Sequence, residues 1–96
     1  MTSLHMFPFE YSNGNPLEKQ VLVQLYQETF DNYVETQKVS RRNIGTKQLK
    51  EIGKETWDKM KELDIVPMYS HSLFVGKEDE ETIFKVINLE CFFDMT

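Results

Sequence analysis

Residues 76–82, Gly76-Lys77-Glu78-Asp79-Glu80-Glu81-Thr82 (GKEDEET), set four carboxylates side by side between two stretches rich in apolar and aromatic residues. Met68 to Val75 lies before them and Thr82 to Phe92 after. Val75, Ile83, Phe84, Val86, Ile87 and Phe92 suit a pleated, half-buried backbone, so residues 68–92 read as a β-hairpin with the acidic run at its tip. Adjacent carboxylates repel one another even in water, and a tight turn does not require them. The tip is therefore either solvated charge or a place where something basic docks.

The chain upstream reads as helical. Ser12-Asn13-Gly14-Asn15 is a turn signal. Asn15 suits an N-cap, Pro16 the first helical position, and Glu18 the acid of a capping box. The apolar residues Leu17, Val21, Leu22, Leu25, Tyr26, Phe30, Tyr33 and Val34 then recur at helical spacing to about Gln37. Gln24, Glu28, Asp31 and Glu35 form the opposite, outward row. After the break at Val39–Gly45, a second helix is expected from about Thr46, its N-cap, to about Leu63. Leu49, Ile52, Thr56 or Trp57, Met60 and Leu63 mark its apolar face. Residues 1–12, with Leu4, Met6, Phe7, Phe9 and Tyr11 around Pro8, read as an extended edge segment, since proline is tolerated at sheet edges. The expected fold is α+β: two helices packed on a small antiparallel sheet, the hairpin 68–92 with an N-terminal edge strand, in a single domain over residues 1–96.

Composition narrows the function. The net charge is −5 and the pI about 5.0, which argues against general affinity for nucleic acid or anionic membranes. Cys91 is the single cysteine, so no internal disulfide forms and a reducing cytoplasm is the expected setting. The first residues, MTSLHMFPFEY, lack the pattern of a signal peptide. The charge is unevenly spread. Residues 1–37 carry −4 (five acids against Lys19), residues 38–61 carry +5 (eight Lys and Arg against three acids), and residues 62–96 carry −6 (eight acids against two lysines).

Catalytic and metal signatures are missing. His5 and His71 have no second ligand at metal spacing, and no glycine loop suited to phosphate occurs. His71 could face Cys91 across the hairpin, but a Cys–His nucleophile also needs an orienting group and an oxyanion site. The expectation is a half-buried histidine beside a buried thiol, with no enzyme activity, no cofactor and no metal.

Two binding readings remain. The basic segment 38–61, with Arg41, Arg42, Lys47, Lys50 and Lys54, followed by a hairpin, looks like a winged helix-turn-helix that reads DNA. That arrangement would place a bend at Gly53, but Leu49 stands where a small residue belongs, and Met60 and Leu63 fall one step late. The Leu49–Leu63 periodicity suits one helix better, with its basic face pairing to the acidic helix of the same fold. A wing bearing four carboxylates would also be repelled by phosphates. On the acidic side, Glu28, Asp31 and Glu35 repeat every ~4.5–6 Å along a helix, close to the spacing of phosphates along a strand. Glu78, Asp79, Glu80, Glu81 and Glu90 would extend that surface.

In overall character, though not in any aligned motif, this small, acidic chain resembles the host-takeover proteins of bacteriophages, and among them the DNA mimics. The resemblance implies an inhibitor whose carboxylates stand where phosphates would. It implies as partner a basic host DNA-binding protein, such as the histone-like protein HU or RNA polymerase, in the host cytoplasm, with no direct binding of nucleic acid or membrane. Homodimerisation is left open, as is an adaptor role for the apolar N-terminal segment.

Overall fold

The computed structural model describes residues 7–95. The order of elements is β1 (Phe9–Tyr11), α1 (Lys19–Gln37), α2 (Thr46–Glu62), β2 (Ile65–Pro67) and α3 (Glu80–Cys91), with short 3-10 turns at Arg41–Asn43 and Phe92–Asp94. The fold is α+β, with three helices and a two-stranded antiparallel sheet.

The hairpin expected at 68–92 is absent. Residues 68–76 instead form a series of tight turns, in which His71 N–H donates to Met68 O at 2.7 Å and Phe74 N–H to His71 O at 2.9 Å. The expected second strand is helix α3. Its buried residues Ile83, Phe84, Val86, Ile87 and Cys91 recur at three- and four-residue steps, the period of a helix facing a core. β-Branched content pointed to a strand, but only the helical period buries all five against one surface. His71 and Cys91 therefore do not face one another across strands: the first lies in the turns, the second in α3.

The sheet forms elsewhere. β1 pairs with β2 in the register Phe9↔Pro67, Glu10↔Val66, Tyr11↔Ile65. Two further backbone bonds extend it, Met68 N–H to Pro8 O and Ser12 N–H to Asp64 O, both 2.8 Å. Residues 1–6 of the expected N-terminal strand, with Leu4 and Met6, lie outside the described residues.

Helix α1 begins at Lys19, not Pro16, and Asn15 does not cap it. Glu18 occupies the N-cap without a side-chain bond, while Asn15 N–H donates to Asn13 Oδ1 at 2.9 Å within the preceding turn. Leu17 is buried although it precedes the helix. At the other end Lys38 adopts a left-handed conformation, φ 56°. Val39 N–H reaches Val34 O and Lys38 N–H reaches Glu35 O, the paired bonds of a Schellman ending. Val23 and Thr29 join the buried face, whereas Val21, expected there, is exposed.

Helix α2 runs unbroken through Gly53. Gly45, not Thr46, is its N-cap, and its N–H donates to Gln48 Oε1 at 3.0 Å. Gly53 serves packing: a Cβ there would stand 2.9 Å from Phe84 Cβ and 3.1 Å from Phe84 Cα, so its absence lets α2 and α3 touch backbone to backbone. Leu63, expected on the apolar face, is exposed.

Candidate functional site

The acidic run that read as a hairpin tip is the start of α3. Asp79 is the N-cap. Its Oδ1 accepts the Thr82 backbone N–H at 2.8 Å and the Thr82 hydroxyl at 3.1 Å. The first four N–H groups of a helix lack intrahelical partners, and the positive end of the helix dipole favours nearby carboxylates. Glu80 and Glu81 occupy the first turn. Two demands are met at once: the orphan donors gain an acceptor, and the clustered negative charge gains a field that stabilises it. The Thr82 bonds hold the Asp79 carboxyl below its ordinary value. Glu81 is lowered chiefly by its hydrogen bond and ion pair with Lys50, at 2.6 Å. Part of the acidic run is thus spent on folding.

The row on α1 is divided similarly. Glu28, Asp31 and Glu35 are all exposed, but Asp31 accepts a bond from Arg41, whose guanidinium also lies over the Phe30 ring, 5.2 Å from its centroid. Glu28, Glu35, Glu78 and Glu80 make no ion pair or side-chain hydrogen bond among the described residues. Glu90 is half-buried near Lys19, and the Lys19 ammonium pairs with Asp94 at 2.5 Å. The α1 row and the α3 start are not joined by any contact between these acids. The unpaired acids lie on α1 (Glu28, Glu35) and at the start of α3 (Glu78, Glu80).

The basic segment does not take up the expected winged helix-turn-helix arrangement. Arg41 is held by Asp31 and Lys50 by Glu81, while Arg42, Lys47 and Lys54 are exposed. Neither the bend at Gly53 nor the hairpin wing of a winged helix is formed; a continuous helix and α3 stand in their places.

The interior holds polar ties that sequence reasoning missed. The buried Tyr26 hydroxyl on α1 donates to Asn88 Oδ1 on α3. Asn88 Nδ2 donates to Leu49 O on α2 and to Phe84 O on α3, both at 2.9 Å. One amide therefore binds all three helices. Tyr33 donates to Glu51, and that bond, with burial, raises its pKa to about 12. Lys59 Nζ donates to the buried Thr29 hydroxyl at 3.1 Å. Cys91 is fully buried, which pushes its thiol up to about 12; a thiol held neutral is a poor nucleophile. Among the described residues no group of three His, Cys, Asp or Glu is placed to hold a metal ion, and no helix is long and apolar enough to cross a membrane.

Fold and surface together define a small α+β protein with exposed acids on α1 and at the start of α3, and with one asparagine tying its three helices. No protein family, curated protein or solved structure matches the chain.

Proposed function

We propose that this protein is a non-catalytic binding protein that blocks a basic, DNA-binding host protein by placing carboxylates where phosphates would lie. The observation that carries this reading is the set of exposed carboxylates left without internal cations, Glu28 and Glu35 on α1 and Glu78 and Glu80 at the head of α3. Asp31, Asp79 and Glu81 contribute less, because an arginine, a helix N-terminus and a lysine already engage them. A partner rich in Lys and Arg would pair with the remaining acids without having to break an internal ion pair. Exposed charge acts chiefly on association rate. A nucleoid protein of the HU type in the host cytoplasm fits that chemistry.

The test is a titration of wild type and the quadruple variant Glu28→Gln, Glu35→Gln, Glu78→Gln, Glu80→Gln against HU, with duplex DNA as competitor. Wild type should displace DNA, and the variant should associate roughly tenfold more slowly, with a weaker dependence on salt. Equal rates and equal salt dependence for the two proteins would reduce these carboxylates to solvated charge. A gel shift of DNA by the wild-type protein alone, abolished in Arg42→Ala with Lys47→Ala, would favour direct DNA binding instead.

A further inference from the structure

The turns that stand in place of the expected hairpin end with Lys77 N–H donating to Phe74 O at 2.8 Å. Phe74 is fully buried and anchors them in the core. Two apolar side chains adjoin it on the outside. Tyr69, 44% exposed, meets the Phe74 ring at 67° with centroids 5.7 Å apart, and Val75, 61% exposed, is the next residue in the chain. Single exposed apolar residues need no explanation, but this pair leads directly into the acidic run. Glu78 follows Val75 by three residues, within about 11 Å of chain. The surrounding charges leave two acids available. Asp79 caps α3, Lys50 holds Glu81, and Lys85 acts on both Asp79 and Glu81. Glu78 and Glu80 have no ion pair among the described residues, and neither has Lys77, which offsets one of them. Residues 77–80 still carry three acids against one lysine.

We infer that this corner of the molecule receives an arginine side chain of the basic partner, its guanidinium over the Tyr69 ring and against the Glu78 carboxylate, its stem on Val75. The inference rests on the reading above, that basic groups dock at the head of α3, and names the cation they carry. A lysine ammonium is a compact, strongly hydrated point charge. A guanidinium is planar, more weakly hydrated, stacks on aromatic rings and can grip a carboxylate through two parallel bonds. Tyr69, Val75 and Glu78 offer one arginine an aromatic ring, an apolar support for its stem and an anionic partner. Carboxylates alone lack the ring and the support, so they discriminate less between the two cations.

Hexaarginine and hexalysine carry equal side-chain charge and are the probes, each titrated into the whole chain while backbone amide shifts are followed by NMR. Both should shift Glu78 and Glu80. Hexaarginine should give the larger shifts at Tyr69 and bind roughly threefold more tightly. Tyr69→Leu should abolish that preference, and Tyr69→Phe, which keeps the ring, should retain it. Val75→Ser should weaken both peptides, since lysine stems also pack on apolar surface. Equal binding of the two peptides by wild type, a preference that survives Tyr69→Leu, or shifts confined to the α1 row would each overturn the assignment and leave the carboxylate reading in place. The absence of saturable shifts with either peptide at millimolar concentration would overturn both.

Discussion

Asp79 shows how one residue changes the meaning of its neighbours. At a hairpin tip its carboxylate would only add repulsion; at the head of α3 it receives two bonds from Thr82 and anchors the helix. Asp79→Ala should lower Tm by about 3–8 °C, while Asp79→Asn, which keeps a capping oxygen, should lose much less. The carboxyl is lowered in the folded state, so its stabilisation is present above the unfolded carboxylate pKa, about 4, and is lost as pH falls through the lower folded value. Thermal scans from about pH 5 down to pH 2 should therefore show a shallower loss of Tm in Asp79→Asn than in wild type. Parallel curves for the two would show that the cap does not titrate with folding. Cys91 and Tyr33 behave in the opposite sense. Both are raised to about 12, against about 8.5 and 10 when unfolded, so their neutral forms stabilise the fold at low pH and that contribution fades as pH climbs from about 9 towards 12. Cys91→Ala should flatten the lower part of this alkaline limb, read by chemical denaturation at pH 8 and about 10.

At the scale of elements, the contact of α2 with α3 organises the molecule. Gly53 costs α2 about 1 kcal/mol of helix propensity relative to alanine, yet it sits mid-helix because Phe84 leaves no space for a Cβ. Gly53→Ala is thus a contest between propensity and packing. The atoms in the way, Phe84 Cβ and Cα, belong to the start of a side chain and the backbone of α3, so the helix itself must shift. Packing should win, with a net loss of about 1–3 kcal/mol by urea denaturation. A more stable Gly53→Ala variant would mean that α3 slides away without loss. The same glycine carried the winged-helix reading, since a small residue in a helix signals either a bend or a close approach, and sequence does not tell them apart.

For the whole molecule, the Asn88 amide is the point where α1, α2 and α3 meet. Asn88→Ala strands the buried Tyr26 hydroxyl, which should cost about 1–3 kcal/mol. Tyr26→Phe in that background should then cost little more, because the group it removes has already lost its partner. The double-mutant cycle should show coupling of about 0.5–3 kcal/mol. Additive losses would show that the three helices are held by apolar packing alone.

The period of the apolar residues by itself determined α1 and α2, because both helices are long enough for a 3.6-residue repeat to stand out above composition. The same period determined the outward placement of Glu28, Asp31 and Glu35, and the order of charged residues alone determined the uneven charge. The region from Met68 to Phe92 was decided by tertiary structure. Its β-branched residues favour strand locally, and its helical repeat spans only Ile83 to Cys91, too short to outweigh them. The surfaces of α1 and α2 that α3 covers, the glycine that admits it and the asparagine that ties it are distant in sequence. The capping pattern Asp79-x-x-Thr82 was the one local sign that the acidic run opens a helix, and it acquires that meaning only when the five apolar residues behind it have a core to enter.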